Sequence, residues 1–402
     1  MRLGVIDGPG HHGPLLIKQL EAHGHEVIHT HPHPRFTALN TKYGSVARQV
    51  DSLTHDTLRR VASAAQYRLR KWVGLRTSYD FDLYTRLYSK IAAHYFDDVE
   101  AVIGFSLVCY DVHKRAKQLG HHSVLELPST HLAAHVEMVA EEYRRAKQTP
   151  AREGVVFSRF ALERVSEEYA QADIINVLSS FAKQTLIDRG VTPQKICITP
   201  LGIDVSLFRP KEPGLNQERP FRVLFVGRIE LVKGVRYLLE AFGQLKIPKA
   251  ELWLTGTPFE EAKPFLAAHP NGVKLLPQMP QAQLTECYRQ ADLLVFPTLS
   301  DGMGLVMLEA MACGLPVIAT GHSGAPEILR EGIDGFIVPI RDAEKIAEKI
   351  EWLYQNPEEC IEMGRSARQR VENIFTQRNY GGRLETGIIV ALKMLSSRDR
   401  SG

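Results

Sequence analysis

Short apolar runs recur along most of the chain, separated by stretches with helical periodicity. In the first half the runs fall at 2–6, 26–30, 100–104, 122–126, 173–177 and 195–199. In the second half they fall at 221–226, 250–255, 272–275, 292–295, 316–318 and 335–337. Strands alternating with helices in this way predict parallel sheets covered on both faces. The series is too long for one doubly wound sheet. It breaks at 200–220, PLGIDVSLFRPKEPGLNQERP, where four prolines and two glycines end regular structure. The fold class expected is α/β, with two Rossmann-like parallel-sheet domains facing a cleft. Residues 1–200 form the first domain, with a helical insertion at 42–98, and residues 201–377 form the second. Residues 378–402 make a helical tail. Ligands of such sheets bind at the carboxyl ends of the strands, so the cleft is where chemistry is expected.

Composition narrows the class. The chain has 402 residues, 44% of them apolar, which excludes wholesale disorder. A net charge of only +3 is too balanced for a protein that coats nucleic acid, so no nucleic-acid partner is expected. No apolar stretch approaches the roughly 18 residues of a membrane span. The opening MRLGVIDGPGHHGP reads as a first strand, not as a secretory signal. Five scattered cysteines without a Cys-x-x-Cys pair argue against a zinc site or disulfide framework and fit a reducing cytoplasm. Within 59–90, eight Lys/Arg stand against two acids, with Tyr67, Trp72, Tyr79, Phe81, Tyr84 and Tyr88 interleaved. Such a stretch suits peripheral contact with an anionic membrane face or an anionic acceptor, and equally a solvated helix pair.

The most informative segment is 292–318, DLLVFPTLSDGMGLVMLEAMACGLPVI. A buried strand runs into a loop, and a helix starts near Gly304 and stops at Cys313–Gly314. Asp301 precedes that helix and Glu309 lies within it. Between them Gly302, Met303, Gly304 and Leu305 form a helix start whose amides and dipole favour an anion. Carboxylate, phosphate cradle and carboxylate therefore follow in order, as a nucleotide-diphosphate sugar requires. In the second segment, FRVLFVGRIELVKGVRYLLE from 221, a strand leads to Gly227-Arg228 and then Lys233-Gly234. Two cations on a loop at a strand's carboxyl end can neutralise a diphosphate and replace a metal at the leaving group.

Over nearly its full length, and most strongly over 221–340, the chain resembles the retaining, nucleotide-sugar-dependent glycosyltransferases of family 4, which have the GT-B fold. The motifs that carry the resemblance are FVGRIELVKGVRYLLEAF, ADLLVFPTLSDGMGLVMLEAMACGLPVIAT and GHSGAPEILREGIDGFIVP. The resemblance implies that Arg228 and Lys233 bind the donor's diphosphate and Glu309 its ribose. Asp301 takes the place of the family's first glutamate, a departure that bears on the donor sugar. Gly256, in LTGTPFE, stands at the family's glycine turn near the nucleotide, and Gln278 opens the segment that lines the base. Gly8, Pro9 and Gly10 lie in the loop facing donor and acceptor. His131, in ELPSTH, resembles the histidine near the donor sugar, with His11 and His12 as rivals at the cleft mouth. The implied reaction moves a hexose from a nucleotide-diphosphate donor to an envelope glycan, glycolipid, lipid-linked or small-molecule acceptor. It implies retention, no metal and no resident cofactor. The location expected is the cytoplasm, with the inner face of the membrane as the place of any peripheral contact through 59–90. The family's last helix crosses back onto the first domain, a role that 378–396 would fill.

Two other readings compete. Residues 8–13, GPGHHG, spell the dinucleotide fingerprint of an NAD-dependent oxidoreductase, but the second strand's end, Val27 to His31, lacks the acid that would hold a ribose. A non-catalytic nucleotide-sugar-binding homologue would keep the fold without the turnover. Asp80-Phe81-Asp82 matches the metal-binding D-x-D tripeptide, yet it sits in the basic insertion and reads as surface.

Overall fold

The computed structural model describes residues 1–6, 13–30, 86, 88–148, 157, 159–210 and 219–399. Gly8, Pro9, Gly10, His11, His12, Asp80 and Asp82 lie outside the described residues, as does all of 59–90 except 86 and 88–90.

Among the described residues the chain forms two six-stranded sheets, parallel throughout, as the strand–helix rhythm predicts. The first holds β1 (Arg2–Ile6), β2 (Glu26–Thr30), β3 (Ala101–Phe105), β4 (His122–Leu127), β5 (Ile174–Val177) and β6 (Ile196–Ile198), in the order β2-β1-β3-β4-β5-β6. The second holds β7 (Arg222–Val226), β8 (Glu251–Thr255), β9 (Val273–Leu276), β10 (Leu293–Phe296), β11 (Val317–Thr320) and β12 (Gly335–Val338), in the order β12-β11-β10-β7-β8-β9. Strands such as VLFV in β7 and LLVF in β10 are buried on both faces, which only a sheet sandwiched between helix layers allows. Each such Leu, Val or Phe contributes roughly 1.5–3 kcal/mol of apolar burial.

Strand order places the site. In the second sheet the chain runs outward from β7 to β9 and then returns to set β10 against β7, with Leu293 opposite Val223. The order reverses between β7 and β10, and the crevice beyond their carboxyl ends is the position a ligand takes in this architecture. The corresponding reversal in the first sheet lies between β1 and β3. There α2 (Tyr110–Leu119) begins, and its amino end is already occupied. The buried Glu168 carboxylate, from α4 (Arg159–Gln171), accepts hydrogen bonds from the amides of Leu107, Cys109 and Tyr110 at 2.8, 3.2 and 3.1 Å. An internal carboxyl group, its pKa pushed up to about 7 by burial, thus takes the place that a phosphate would need on that helix.

A second buried carboxyl bridges β4, β5 and the residue after β6. Asn176 donates to both oxygens of Glu126 at 2.9 Å, and Thr199 donates to the Asn176 carbonyl at 2.7 Å. Burial pushes the Glu126 pKa up to about 7, against the opposing Asn176 bond. A carboxyl raised in the folded state favours folding while protonated. Its contribution is lost between its ordinary range, near 4.5, and about 7. Glu126→Gln should therefore remove at most about 3 kcal/mol of the fall in stability between pH 5 and pH 8. Urea unfolding of both proteins at the two pH values measures it, and parallel pH dependence in both would refute the assignment.

The chain crosses between sheets twice, and the two crossings lie side by side. Ile203 pairs with Thr376, its amide donating to the Phe375 carbonyl at 2.8 Å while the Gln377 amide donates to its own carbonyl at 3.1 Å. After the second crossing α11 (Gln377–Leu384) packs on α1 (Gly13–Ala22) of the first domain, and Glu385 bonds to His25 at 2.8 Å.

Candidate active site

The β7 and β10 loops converge because the strands that carry them are neighbours. After β7, Gly227 turns the chain and Arg228 follows, its guanidinium 2.9 Å from Glu230 and more than half exposed. A short turn, Leu231–Lys233, then delivers Lys233. Gly234 has φ 71°, and a Cβ there would lie 1.9 Å from the Pro297 carbonyl oxygen. Only glycine lets the β7 loop pass this close to the β10 loop. Across the gap, the Lys233 ammonium donates to Asp301 at 2.5 Å.

Asp301 is fixed from several sides. Its amide donates to the His322 carbonyl at 3.0 Å, and its other carboxylate oxygen accepts from the Met303 amide at 3.0 Å. Burial pushes its carboxyl up. The charge and hydrogen bond of Lys233, with the Met303 amide, outweigh that and hold it below the usual range, so it is ionised at neutral pH. Gly302 is buried against the first domain, where a Cβ would lie 1.9 Å from the Pro128 carbonyl oxygen. Gly304, at φ 88°, starts α8 (Leu305–Ala312), and no side chain caps that start. Of the first-turn amides that of Met307 donates to the Gly304 carbonyl at 3.0 Å; the others, with the positive end of the dipole, carry no side-chain cap and suit an external anion. One turn on, Glu309 accepts from the Tyr288 hydroxyl of α7 (Gln281–Gln290) at 2.8 Å. Burial pushes the Glu309 pKa up, and the Tyr288 bond opposes it.

The first domain closes the other side of the gap. Thr130 and Ser300 share a hydrogen bond of 3.0 Å. His135 Nδ1 lies 3.1 Å from the same Ser300 hydroxyl. Burial drives the His135 pKa down to about 4, Lys233 and Arg228 add to the shift and Asp301 opposes it, so the ring is neutral at physiological pH.

The structure thus pairs Lys233 with Asp301 beyond the carboxyl ends of β7 and β10, and Gly302, Met303, Gly304, Leu305 and Glu309 follow on the β10 loop and α8. Arg228 lies exposed on the β7 loop. Gly256 follows β8, and its Cβ position lies 1.9 Å from the Gly227 carbonyl oxygen. Gln278 is exposed and accepts from the Thr257 hydroxyl at 3.1 Å. His131 is placed differently. It caps α3 (Leu132–Arg145), its Nδ1 accepting from the Ala133 amide at 3.2 Å, and its ring packs 4.8 Å from that of Tyr169. The charges acting on it are Arg189 and Glu137. The histidine coupled to the Lys233–Asp301 pair is His135, one turn further along. Its signal is the helical spacing of His135, Met138, Val139 and Glu142 in HLAAHVEMVAEEY, one face of a helix, which the structure turns toward the second domain.

Residues 209–370 match the family model for glycosyl transferases group 1. The D-inositol 3-phosphate glycosyltransferase of Pseudarthrobacter chlorophenolicus is 32% identical over 219 residues, which are 50% of this chain and 52% of that protein. The amylovoran biosynthesis glycosyltransferase AmsK of Erwinia amylovora is 29% identical over 263 residues, 60% of this chain and 64% of that protein. The match to the first of these spans about half the relative's length. Among solved structures, HepE of Anabaena in complex with UDP superimposes with a TM-score of 0.68 at 16% identity, covering 98% of this chain and 99% of that one. Residues 209–370 are therefore a group 1 glycosyl transferase domain, set in a chain with the GT-B fold.

Proposed function

We propose that the chain transfers a hexose from a nucleotide-diphosphate sugar to an envelope glycan, lipid-linked or small-molecule acceptor, with retention at the anomeric carbon. The observation that carries this is the run of groups beyond the carboxyl ends of β7 and β10: the Lys233–Asp301 pair, the uncapped start of α8, and Glu309 one turn on. Lys233, Arg228 and the α8 amides face a diphosphate whose negative charge grows as the sugar leaves. Donors fixed before the reaction stabilise that charge without reorganisation. Asp301, ionised, accepts hydrogen bonds from sugar hydroxyls, and Glu309 accepts from the ribose. Retention needs no strong enzymic base, because the acceptor hydroxyl can pass its proton to the departing phosphate on the same face. The two cations take the part of a metal in this scheme, so turnover is independent of divalent ions. Closing the cleft excludes water, the competing acceptor.

The relatives supply the substrate class. HepE is recorded with UDP and with UDP-glucose, and AmsK acts in amylovoran biosynthesis. We place the reaction at the cytoplasmic face of the membrane, with 59–90 as peripheral contact. Among the described residues no helix is long and apolar enough to cross a membrane.

A thermal-shift screen of nucleotide diphosphates and their sugars tests the proposal. One donor should stabilise the wild type by several degrees, and Arg228→Ala and Glu309→Ala should each lose most of that shift. Turnover with that donor should persist in chelator. Equal shifts in all three proteins would remove the site, and binding without turnover of any donor would favour a non-catalytic homologue.

A further inference from the structure

α3 grows from the first sheet, yet most of its length is docked on the second domain. Its start is tied to the first domain. The His131 amide donates to the Thr185 hydroxyl at 3.0 Å and the Leu132 amide to the Tyr169 hydroxyl at 3.2 Å. From His135 onward one face of the helix turns to the other domain. Val139 and Tyr143 pack in the core formed by Val232, Val235 and Leu238. Gln148, just past the helix, donates to the Glu261 carbonyl at 2.9 Å, and Arg236 donates to the Arg145 carbonyl at 3.3 Å.

The strongest fixture is Glu142, whose carboxylate is 1% exposed. It accepts from the Tyr237 hydroxyl at 2.9 Å and from the Arg341 guanidinium at 2.5 Å. Arg341 also reaches Glu141, at 3.1 Å. Tyr237 and Arg341 both belong to the second domain. Arg341 has φ 64°, a left-handed conformation that a non-glycine residue keeps only where its surroundings over-determine it. A buried carboxylate with a fixed arginine and a phenol defines one register for the helix, since any slip leaves a buried charge unpaired. Glu142 lies seven residues, two helical turns, beyond His135 on the same face.

We infer that Glu142 is a positioning residue: by locking α3 onto the second domain it sets His135 against Ser300 and above the Lys233–Asp301 pair. This rests on the reading that the pair is where the donor reacts. The groups that face His135 are the Ser300 hydroxyl and the charges of Lys233, Asp301 and Arg228. When the helix lifts, His135 leaves both its buried site and those charges, and its titration returns toward that of a free imidazole.

The test reads His135 directly. Glu142→Gln, Tyr237→Phe and Arg341→Lys are compared with wild type by NMR of ¹³C-labelled histidine, the signal identified from a His135→Gln spectrum. Arg219→Ala, which breaks a salt bridge to Asp292 wholly within the second domain, serves as a control for general destabilisation. Glu142→Gln should raise the His135 pKa by at least one unit and lower kcat 10- to 100-fold, with the donor KM changed less than threefold. The other two clamp variants should move the same signal in the same direction, and Arg219→Ala should leave it in place. A Glu142→Gln protein that melts earlier but keeps the wild-type His135 titration and kcat would overturn the inference. Because the titration needs no donor, it is separable from the reading of the reaction. A shifted His135 in an enzyme that turns over no sugar nucleotide supports the clamp and sinks that reading. Normal turnover with an unmoved His135 sinks the clamp alone.

Discussion

Lys233→Ala lowers kcat for donor turnover by about 10²–10³-fold, the size of effect seen when one preorganised charge partner of a developing anion is removed. Two losses combine in it. The diphosphate loses a cation, and Asp301 loses the neighbour that keeps it ionised. With Lys233 present, the Asp301 carboxyl lies below its ordinary range despite burial. Without it the burial contribution is the one that remains largest, so the carboxyl titrates higher. The acidic limb of the kcat profile should therefore move to higher pH in Lys233→Ala than in wild type. Adding Asp301→Asn to Lys233→Ala should abolish that limb and bring the neutral-pH rate down to the low-pH level of the single variant. Steady-state kinetics from pH 5 to 9, with near-ultraviolet circular dichroism to confirm folding, measure both effects. An acidic limb that stays in place in Lys233→Ala would show that Asp301 is not the group it reports.

Gly302→Ala separates binding from turnover. The three atoms nearest the added methyl are all backbone of the first domain, the Pro128 carbonyl oxygen at 1.9 Å, its carbon at 2.6 Å and Ser129 Cα at 3.0 Å. A backbone wall cannot swing aside as a side-chain tip does, so the two domains must separate by more than about an ångström to restore ordinary contact. A misplacement of that size costs on the order of 10²-fold in rate. The nucleotide contacts proposed for Arg228 and Glu309 lie within the second domain and are not touched. Calorimetry should give an affinity for the donor's nucleoside diphosphate, as identified by the thermal-shift screen, within a few fold of wild type while kcat/KM falls by about 10²-fold. Parallel loss of that binding would place the damage in the second domain itself.

Much of the architecture was legible because its signals are local. A run such as DLLVF followed by a glycine-bearing loop and a helix specifies a strand, a turn and a cradle from neighbouring residues alone. The two-sheet division followed in the same way from the proline-rich break after β6. What was not legible depends on contacts between distant parts of the chain. Lys233 and Asp301 read as separate ligands, one for phosphate and one for sugar; only the adjacency of β7 and β10 makes them partners. His131, four residues past the end of β4, resembles the histidine near the donor sugar, yet it uses a ring nitrogen to cap α3. The outward rotation of α3 toward the other domain, which brings His135 to Ser300, is a packing decision made by Val139, Tyr143 and Glu142 together. Glu168 was silent for the same reason: nothing near it in sequence announces that it fills the amino end of α2.

The paired crossings at Ile203 and Thr376 have a mechanical consequence. Gly202 leaves no room between them, since a Cβ there would lie 2.1 Å from the Thr376 carbonyl oxygen. Two strands of backbone hydrogen-bonded at one spot behave as a door hinge, not as two independent tethers. Sliding is barred, and the freedom that remains is rotation about a single line through that bridge. A few degrees of swing there would be multiplied by the distance to the β7 and β10 loops, so the proposed donor site would be adjusted from a point that never touches it.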